Sequence, residues 1–234
     1  GVLGGMGPLA TVDFLGKLIA ATPARCDQDH LRLLVVSDPS VPDRNDALVS
    51  GHYEAVLGAL KAGLARLASG GAEAAVMPCN TAHHWFDGLS AAAPIPMLHI
   101  ADAAVAELKA RAAPGATVVV LSTPATRRSG FYEERLRREG YRVARLPARL
   151  SDGNVMRAIR AVKAGRVREA RARLDPVLRH VDAIAASAVL LACTELPLAL
   201  ADDIGRDPRL IDVNDALAGA CVSWAGPRGP DASV

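Results

Sequence analysis

The chain has 234 residues, half of them hydrophobic and 3% aromatic, with 27 basic against 25 acidic side chains and a formal net charge of +2. That length suits one large domain or two of about 100 residues each, and the apolar half supplies a sizeable core. Balanced charge and scarce aromatics exclude an electrostatic or base-stacking attachment to nucleic acid, and no apolar run is long enough to span a bilayer.

Residues 1–8, GVLGGMGP, are too short and Gly-rich for the apolar part of a secretory leader. Val2 and Leu3 end a strand that runs into this Gly-rich turn, and a helix is expected over 9–21. A strand over 31–37 (LRLLVVS) and a helix over 53–69 follow, the helix stopped by Gly70 and Gly71. Residues 74–77 form a third strand, a helix follows CNTAHH, and 95–100 read as a fourth strand. The second half repeats the rhythm: strand 117–122, helix 128–139 ending at Gly140, strand 141–146, helices 154–163 and 167–180, strand 188–192. A strand and helix follow Arg209 and are expected to return to the first half. The residues from Gly226 onward are Pro/Gly-rich and expected to fray.

The halves superpose as sequences. Thr11 aligns with Thr126, Arg32 with Arg142 and Cys79 with Cys193, at offsets of 115, 110 and 114 positions. Three segments sharing nearly one offset predict an α/β fold of two similar lobes with mostly parallel, buried strands, related by a pseudo-twofold axis. The first lobe is expected over 1–100 plus 210–234 and the second over 101–209, with the active site in the cleft at the carboxyl ends of the strands.

Cys79 and Cys193 each end a buried strand and start the next helical segment, trailed by Asn80-Thr81 and Thr194-Glu195. Helix N-termini offer free N–H groups that can hold a carboxylate and lower a thiol pKa. One such cysteine alone reads as a small core residue, but two at equivalent positions of a repeat are harder to explain by packing. Thiols on opposite faces of one carbon suit a two-base proton transfer: one thiolate takes an α-proton, and the other thiol returns a proton to the opposite face. Cys26 and Cys221 lack such trailers. The four cysteines make no CxxC pair and no disulfide framework, which points to a reducing, cytoplasmic setting.

Together, GGMGPLAT, PDR, PCNTAH around Cys79 and ACTELPL around Cys193 resemble the aspartate/glutamate racemase family, in its aspartate racemase branch, across essentially the whole chain. The resemblance implies an isomerase needing no pyridoxal phosphate and no metal, acting on a small amino-acid or dicarboxylate substrate, usually as a homodimer. It implies catalysis by Cys79 and Cys193. It also implies a carboxylate-binding Arg44, substrate contacts from Asn80, Thr81 and Ala82, and a substrate-facing Lys163. Met6, Gly7, Thr123, Thr194 and Glu195 complete the implied pocket. By analogy, Cys193 would serve the L-enantiomer and Cys79 the D-enantiomer.

Other readings stay open at this level. Arg44 also fits a surface turn, and Lys163 a solvated helix face among Arg157, Arg160, Arg166, Arg168, Arg171 and Arg173. The glycines near the start only weakly hint at a dinucleotide turn. His83 and His84, being adjacent on a helix, point apart and make a poor metal pair with Cys79. The same scaffold could isomerise maleate or bind small carboxylates without catalysis; the CTELP trailer favours racemisation, and binding alone needs neither cysteine.

Overall fold

The computed structural model describes residues 1–226. The elements of the first half are β1 (Val2–Gly4), α1 (Pro8–Ala21), β2 (Val35–Ser37), α2 (Arg44–Ser50), α3 (Glu54–Ser69), β3 (Ala75–Val76), α4 (Phe86–Ala92), β4 (Met97–Leu98) and α5 (Ile100–Arg111). The second half contains β5 (Thr117–Val120), α6 (Pro124–Ser129), α7 (Phe131–Arg138), β6 (Arg142–Ala144), α8 (Met156–Lys163), α9 (Val167–Ala183), β7 (Ala188–Leu191), α10 (Leu196–Ala199), α11 (Ala201–Ile204), β8 (Leu210–Asp212) and α12 (Val213–Ala225). The strands form two four-stranded sheets, ordered β2-β1-β3-β4 and β6-β5-β7-β8. Every pairing is parallel. The same order in each sheet is the expected repeat, now seen as two lobes. No helix among the described residues is long and apolar enough to cross a membrane.

Parallel strands need both faces covered, and three apolar clusters do this. Leu3, Leu60, Leu64, Leu67 and Met77 pack between the first sheet and α3. Val119, Leu121, Ile159, Leu174, Val177 and Leu191 pack between the second sheet and α8 and α9. The third cluster is shared: Val2, Phe14 and Leu18 from the first half meet Ile100, Leu108, Val118, Tyr132, Ile211 and Leu217. The lobes are joined through an apolar core as well as by the chain.

Several boundaries differ from the expectation. The segment after Arg209 divides between the lobes instead of returning whole to the first. Strand β8 pairs with β7, with Leu190 opposite Ile211, because the second sheet needs a fourth strand to match β4. Helix α12 crosses back to pack on α1 and α5. Lys17 of α1 secures this crossing, reaching Asp13 and Asp212 at 2.5 Å each, while the Asn214 amide donates to Asp13 at 2.9 Å. The helix expected over 128–139 is two helices, broken at Gly130, whose φ of 72° is left-handed. Strand β2 covers only the last three residues of the apolar run 31–37, since an edge strand pairs on one side. The segment expected as the start of a helix at 154 is the end of a π-helical turn over Arg149–Val155. The fraying expected beyond Gly226 lies outside the described residues.

Candidate active site

The first and third strands of each sheet send their chains to opposite faces, which opens a crevice at their carboxyl ends. The loop after β1 carries Met6 and Gly7, and the loop after β3 carries Cys79 to Ala82. Their counterparts after β5 and β7 are Thr123 and Cys193 to Glu195. Gly5 allows the first loop its tight path. Its φ is +89°, and a Cβ there would stand 2.4 Å from the Asp38 backbone. The Gly5 amide donates to Thr11 Oγ1 at 2.9 Å, and that hydroxyl donates to the Gly7 carbonyl at 3.0 Å.

Both thiols are free and nearly enclosed, Cys79 at 5% and Cys193 at 6% exposure. The Cys193 thiol donates to Glu195 Oε2 at 3.0 Å. Burial first, then the neighbouring Glu195 carboxylate, push this thiol well above its ordinary pKa, against a smaller opposing pull from Lys163. This corrects the expectation that a helix N-terminus would lower it. The following helix, α10, has only four residues, so its dipole is small beside the desolvation and the adjacent anion. Cys79 likewise precedes a short 3-10 helix, Thr81–Trp85.

Around Cys79, the imidazole of His83 is a brace. Its Nε2 accepts the Ile100 amide at 3.2 Å, which leaves the proton on Nδ1 to donate to the Cys79 carbonyl at 2.9 Å. Complete burial pulls the His83 pKa down to about 4, so the ring is neutral. The turn's first backbone bond runs from the His83 amide to Asn80 O. The amides of Asn80, Thr81 and Ala82 therefore have no backbone acceptor among the described residues. Asn80 Oδ1 accepts the Tyr132 hydroxyl at 2.6 Å, while its buried Nδ2 has no partner. Thr81 Oγ1 lies 3.1 Å from Thr123 Oγ1 and 3.2 Å from Thr126 Oγ1, linking the lobes by three hydroxyls.

Arg44 is not on a surface turn. It opens α2 behind the Asp43 cap and is 7% exposed. Its fork donates to the carbonyls of Val41 and Pro42 at 2.9 Å and of Met6 at 3.3 Å, and its buried Nε has no partner. Among the described residues it has no salt-bridge partner, an unusual position for a buried guanidinium. Lys163, at the end of α8, is partly exposed and stands 3.9 Å from Asp43 Oδ2 across the cleft. Glu195 closes the other side: its Oε1 is buried without a partner and lies 3.5 Å from where a Cβ on Gly7 would stand.

Direct contacts thus connect Met6 with Arg44, Glu195 with Cys193, Asn80 with Tyr132, and Thr81 with Thr123, while Glu195 faces Gly7. Ala82 is fully buried beside them in sequence but offers only backbone. Cys26 is exposed and Cys221 half-buried, away from this constellation. Sequence reasoning missed Tyr132 and the bracing role of His83. Tyr132 sits 52 positions from Asn80, and nothing local signals the bond. The repeat did single out Thr126, as the counterpart of Thr11.

A family model described as Asp/Glu/hydantoin racemase matches residues 3–221. The broad specificity amino-acid racemase RacX of Bacillus subtilis (strain 168) is 29% identical over 237 residues, covering 95% of this chain and 96% of that protein. The solved structure of Picrophilus torridus aspartate racemase superposes with a TM-score of 0.85 at 36% identity, covering 97% of this chain and 94% of that one. Glutamate racemase from Campylobacter jejuni subsp. jejuni shares the fold, with a TM-score of 0.65 at 22% identity over 99% of this chain and 87% of its own. Two lobes of one topology, a buried thiol at the equivalent strand end of each, and a family match over nearly the full length place this chain in the Asp/Glu/hydantoin racemase family, as an isomerase of the racemase type.

Proposed function

We propose that the protein racemises aspartate, or aspartate and glutamate, without pyridoxal phosphate or a metal, by proton transfer between Cys79, Cys193 and the substrate Cα. The observation that carries this reading is the Cys193 thiol hydrogen-bonded to a buried carboxylate, opposite a lobe that presents the equivalent free thiol. A substrate carboxylate would give Arg44 the anion it lacks, through a fork of N–H donors. The unpartnered amides of Asn80, Thr81 and Ala82 would take the other carboxylate and stabilise charge developing on it as Cα loses its proton.

In the direction that starts at Cys193, its thiol passes a proton to Glu195 Oε2 and becomes the base. The thiolate takes the α-proton from Cα while the Cys79 thiol delivers its own proton to the opposite face. The carbon inverts, Cys193 is again a thiol, and Cys79 is left as the thiolate. Returning the Glu195 proton to Cys79 resets the site. In the reverse direction Cys79 is the base and Cys193 the acid. Near-complete burial of the thiols keeps bulk water from competing for these protons. Cys193 is assigned to the L-enantiomer and Cys79 to the D-enantiomer.

The test follows racemisation of L- and D-aspartate and L- and D-glutamate by chiral chromatography, with deuterium uptake at Cα in D₂O. Cys79→Ser and Cys193→Ser should each abolish racemisation while allowing exchange of one enantiomer through the remaining base. Wild-type rates in both variants would refute the two-thiol mechanism. Failure of the wild-type protein to exchange any amino acid would refute the substrate class.

A further inference from the structure

The second lobe has a cavity of about 450 Å³ at the carboxyl ends of β5 and β6, apart from Cys79 and Cys193. Its wall runs from β5 across the edge strand β6 to α6, α7 and the π-helical turn. None of the proposed catalytic or substrate-contacting residues lines it. Two features make it more than a surface dent. Glu133 lines it, is 9% exposed, and has a buried Oε2 with no hydrogen-bond partner. Arg128 and Arg145 line it too and have no salt bridge among the described residues, unlike Arg127, which is neutralised by Asp152 at 2.7 Å.

The charges are complementary to one class of small molecule. A buried carboxylate oxygen lacking a donor calls for an ammonium group. Two unpaired guanidinium groups call for carboxylates. The volume lies in the range of small-molecule sites, and the lining of Leu121, Val143 and Leu146 would cover a short aliphatic backbone. From this arrangement we propose that the cavity is a second ligand site, for an amino dicarboxylate, with its ammonium on Glu133 and its carboxylates on Arg128 and Arg145.

The cavity shares elements with the cleft. Helix α6 places Arg127 and Arg128 in the cavity and Thr126 against Thr81 of the other lobe. The π-helical turn places Ser151 and Asp152 in the cavity and runs directly into α8, which carries Lys163. π-Helical turns are rare and concentrate at functional positions. An occupied cavity would therefore hold two elements that also line the cleft, which makes it an effector site. The charges of the cavity carry this assignment, independently of the proposed reaction.

Isothermal titration with L-aspartate, and with L-malate as the same dianion without the ammonium, tests it. The wild-type protein should bind two aspartates per chain. Arg128→Ala/Arg145→Ala should leave one, with affinity for the other reduced at least tenfold, and amide exchange in α6 should no longer slow when that second aspartate would bind. Glu133→Gln should remove the preference for aspartate over malate at the second site alone. Both arginines are on the rim, so the double variant remains informative if the buried Glu133 substitution disturbs folding. Aspartate binding that the double variant leaves unchanged, whether one or two per chain, would overturn the proposal. Racemisation is measured separately, so failure of this site and failure of the catalytic reading are distinguishable.

Discussion

Replacing Glu195 with glutamine tests the chemistry of the site, because the Cys193 pKa and kcat should both fall, whereas a lower thiol pKa alone would raise kcat. Glu195 Oε2 lies 3.0 Å from the Cys193 sulfur. Two unit charges at that separation repel by about 5 kcal/mol at an effective dielectric of about 20. Side-chain relaxation reduces this figure, but the Cys193 pKa should fall in Glu195→Gln. Thiolate absorbance followed across pH, with Cys193→Ser subtracted to isolate the one thiol, measures it. If the carboxylate only suppressed the thiolate, the variant would be the better enzyme. If Glu195 accepts the proton that Cys193 must lose, kcat should fall by about 10²-fold or more, the usual scale of a lost acid/base partner. The fall should be larger for the enantiomer on which Cys193 acts as base. A lower thiol pKa with equal or faster turnover would refute the proton-acceptor role.

Arg44→Lys should raise the KM for aspartate at least tenfold with a smaller change in kcat, because an ammonium cannot reproduce the bidentate fork; an unchanged KM would remove Arg44 from substrate binding. Tyr132→Phe leaves Asn80 Oδ1 buried and unpaired, which should cost about 1–3 kcal/mol in urea unfolding. Acid should destabilise the fold through His83, whose pKa is about 4 when folded against about 6.5 in an unfolded chain. Because the unfolded chain takes up the proton first, stability is complete above about pH 6.5 and declines by about 3 kcal/mol as pH falls to about 4. Urea midpoints across that range should show a shallower decline in His83→Gln. Gly4→Ala places a Cβ 2.3 Å from Thr11 Cγ2, where β1 and α1 meet, and should lower the unfolding free energy by about 1–3 kcal/mol.

What was legible in the sequence depended on burial. Strands β1, β5 and β7 are short apolar runs in sheet interiors, and their packing leaves no doubt about the pattern. Strand β2 is at an edge, where Leu33, Leu34 and Val35 are exposed, so the apolar run overstates the strand. Helix α5 has little helical signature because Ile100, Ala101, Ala103, Ala104, Val105 and Leu108 are all buried between the lobes, leaving no single apolar stripe. The same shared core explains why the tail, assigned from its sequence to the first lobe, divides between the two. Of the site, the cysteines and their trailers were legible because the repeat marks them. The burial of Arg44 was not, since it follows from Met6, Val41 and Pro42 folding around the guanidinium.

The repeat also shows where the two halves of the site part company. The alignment that pairs Cys79 with Cys193 pairs Thr81 with Glu195, the second residue after each thiol. In the second lobe that position holds a carboxylate on the sulfur. In the first it holds a hydroxyl turned toward Thr123 and Thr126. The symmetric backbone therefore sets two thiols at equivalent strand ends with unequal surroundings. On the two-thiol reading, a carboxylate touches Cys193 and none touches Cys79, so the pH dependence of kcat, unlike that of kcat/KM, differs between the two directions. The equilibrium between enantiomers must remain one to one, since aspartate enantiomers have equal free energy in water. Any difference in kcat between directions must then be matched in KM, and the ratio of kcat/KM for the two enantiomers must stay at one in the wild-type protein and in every variant.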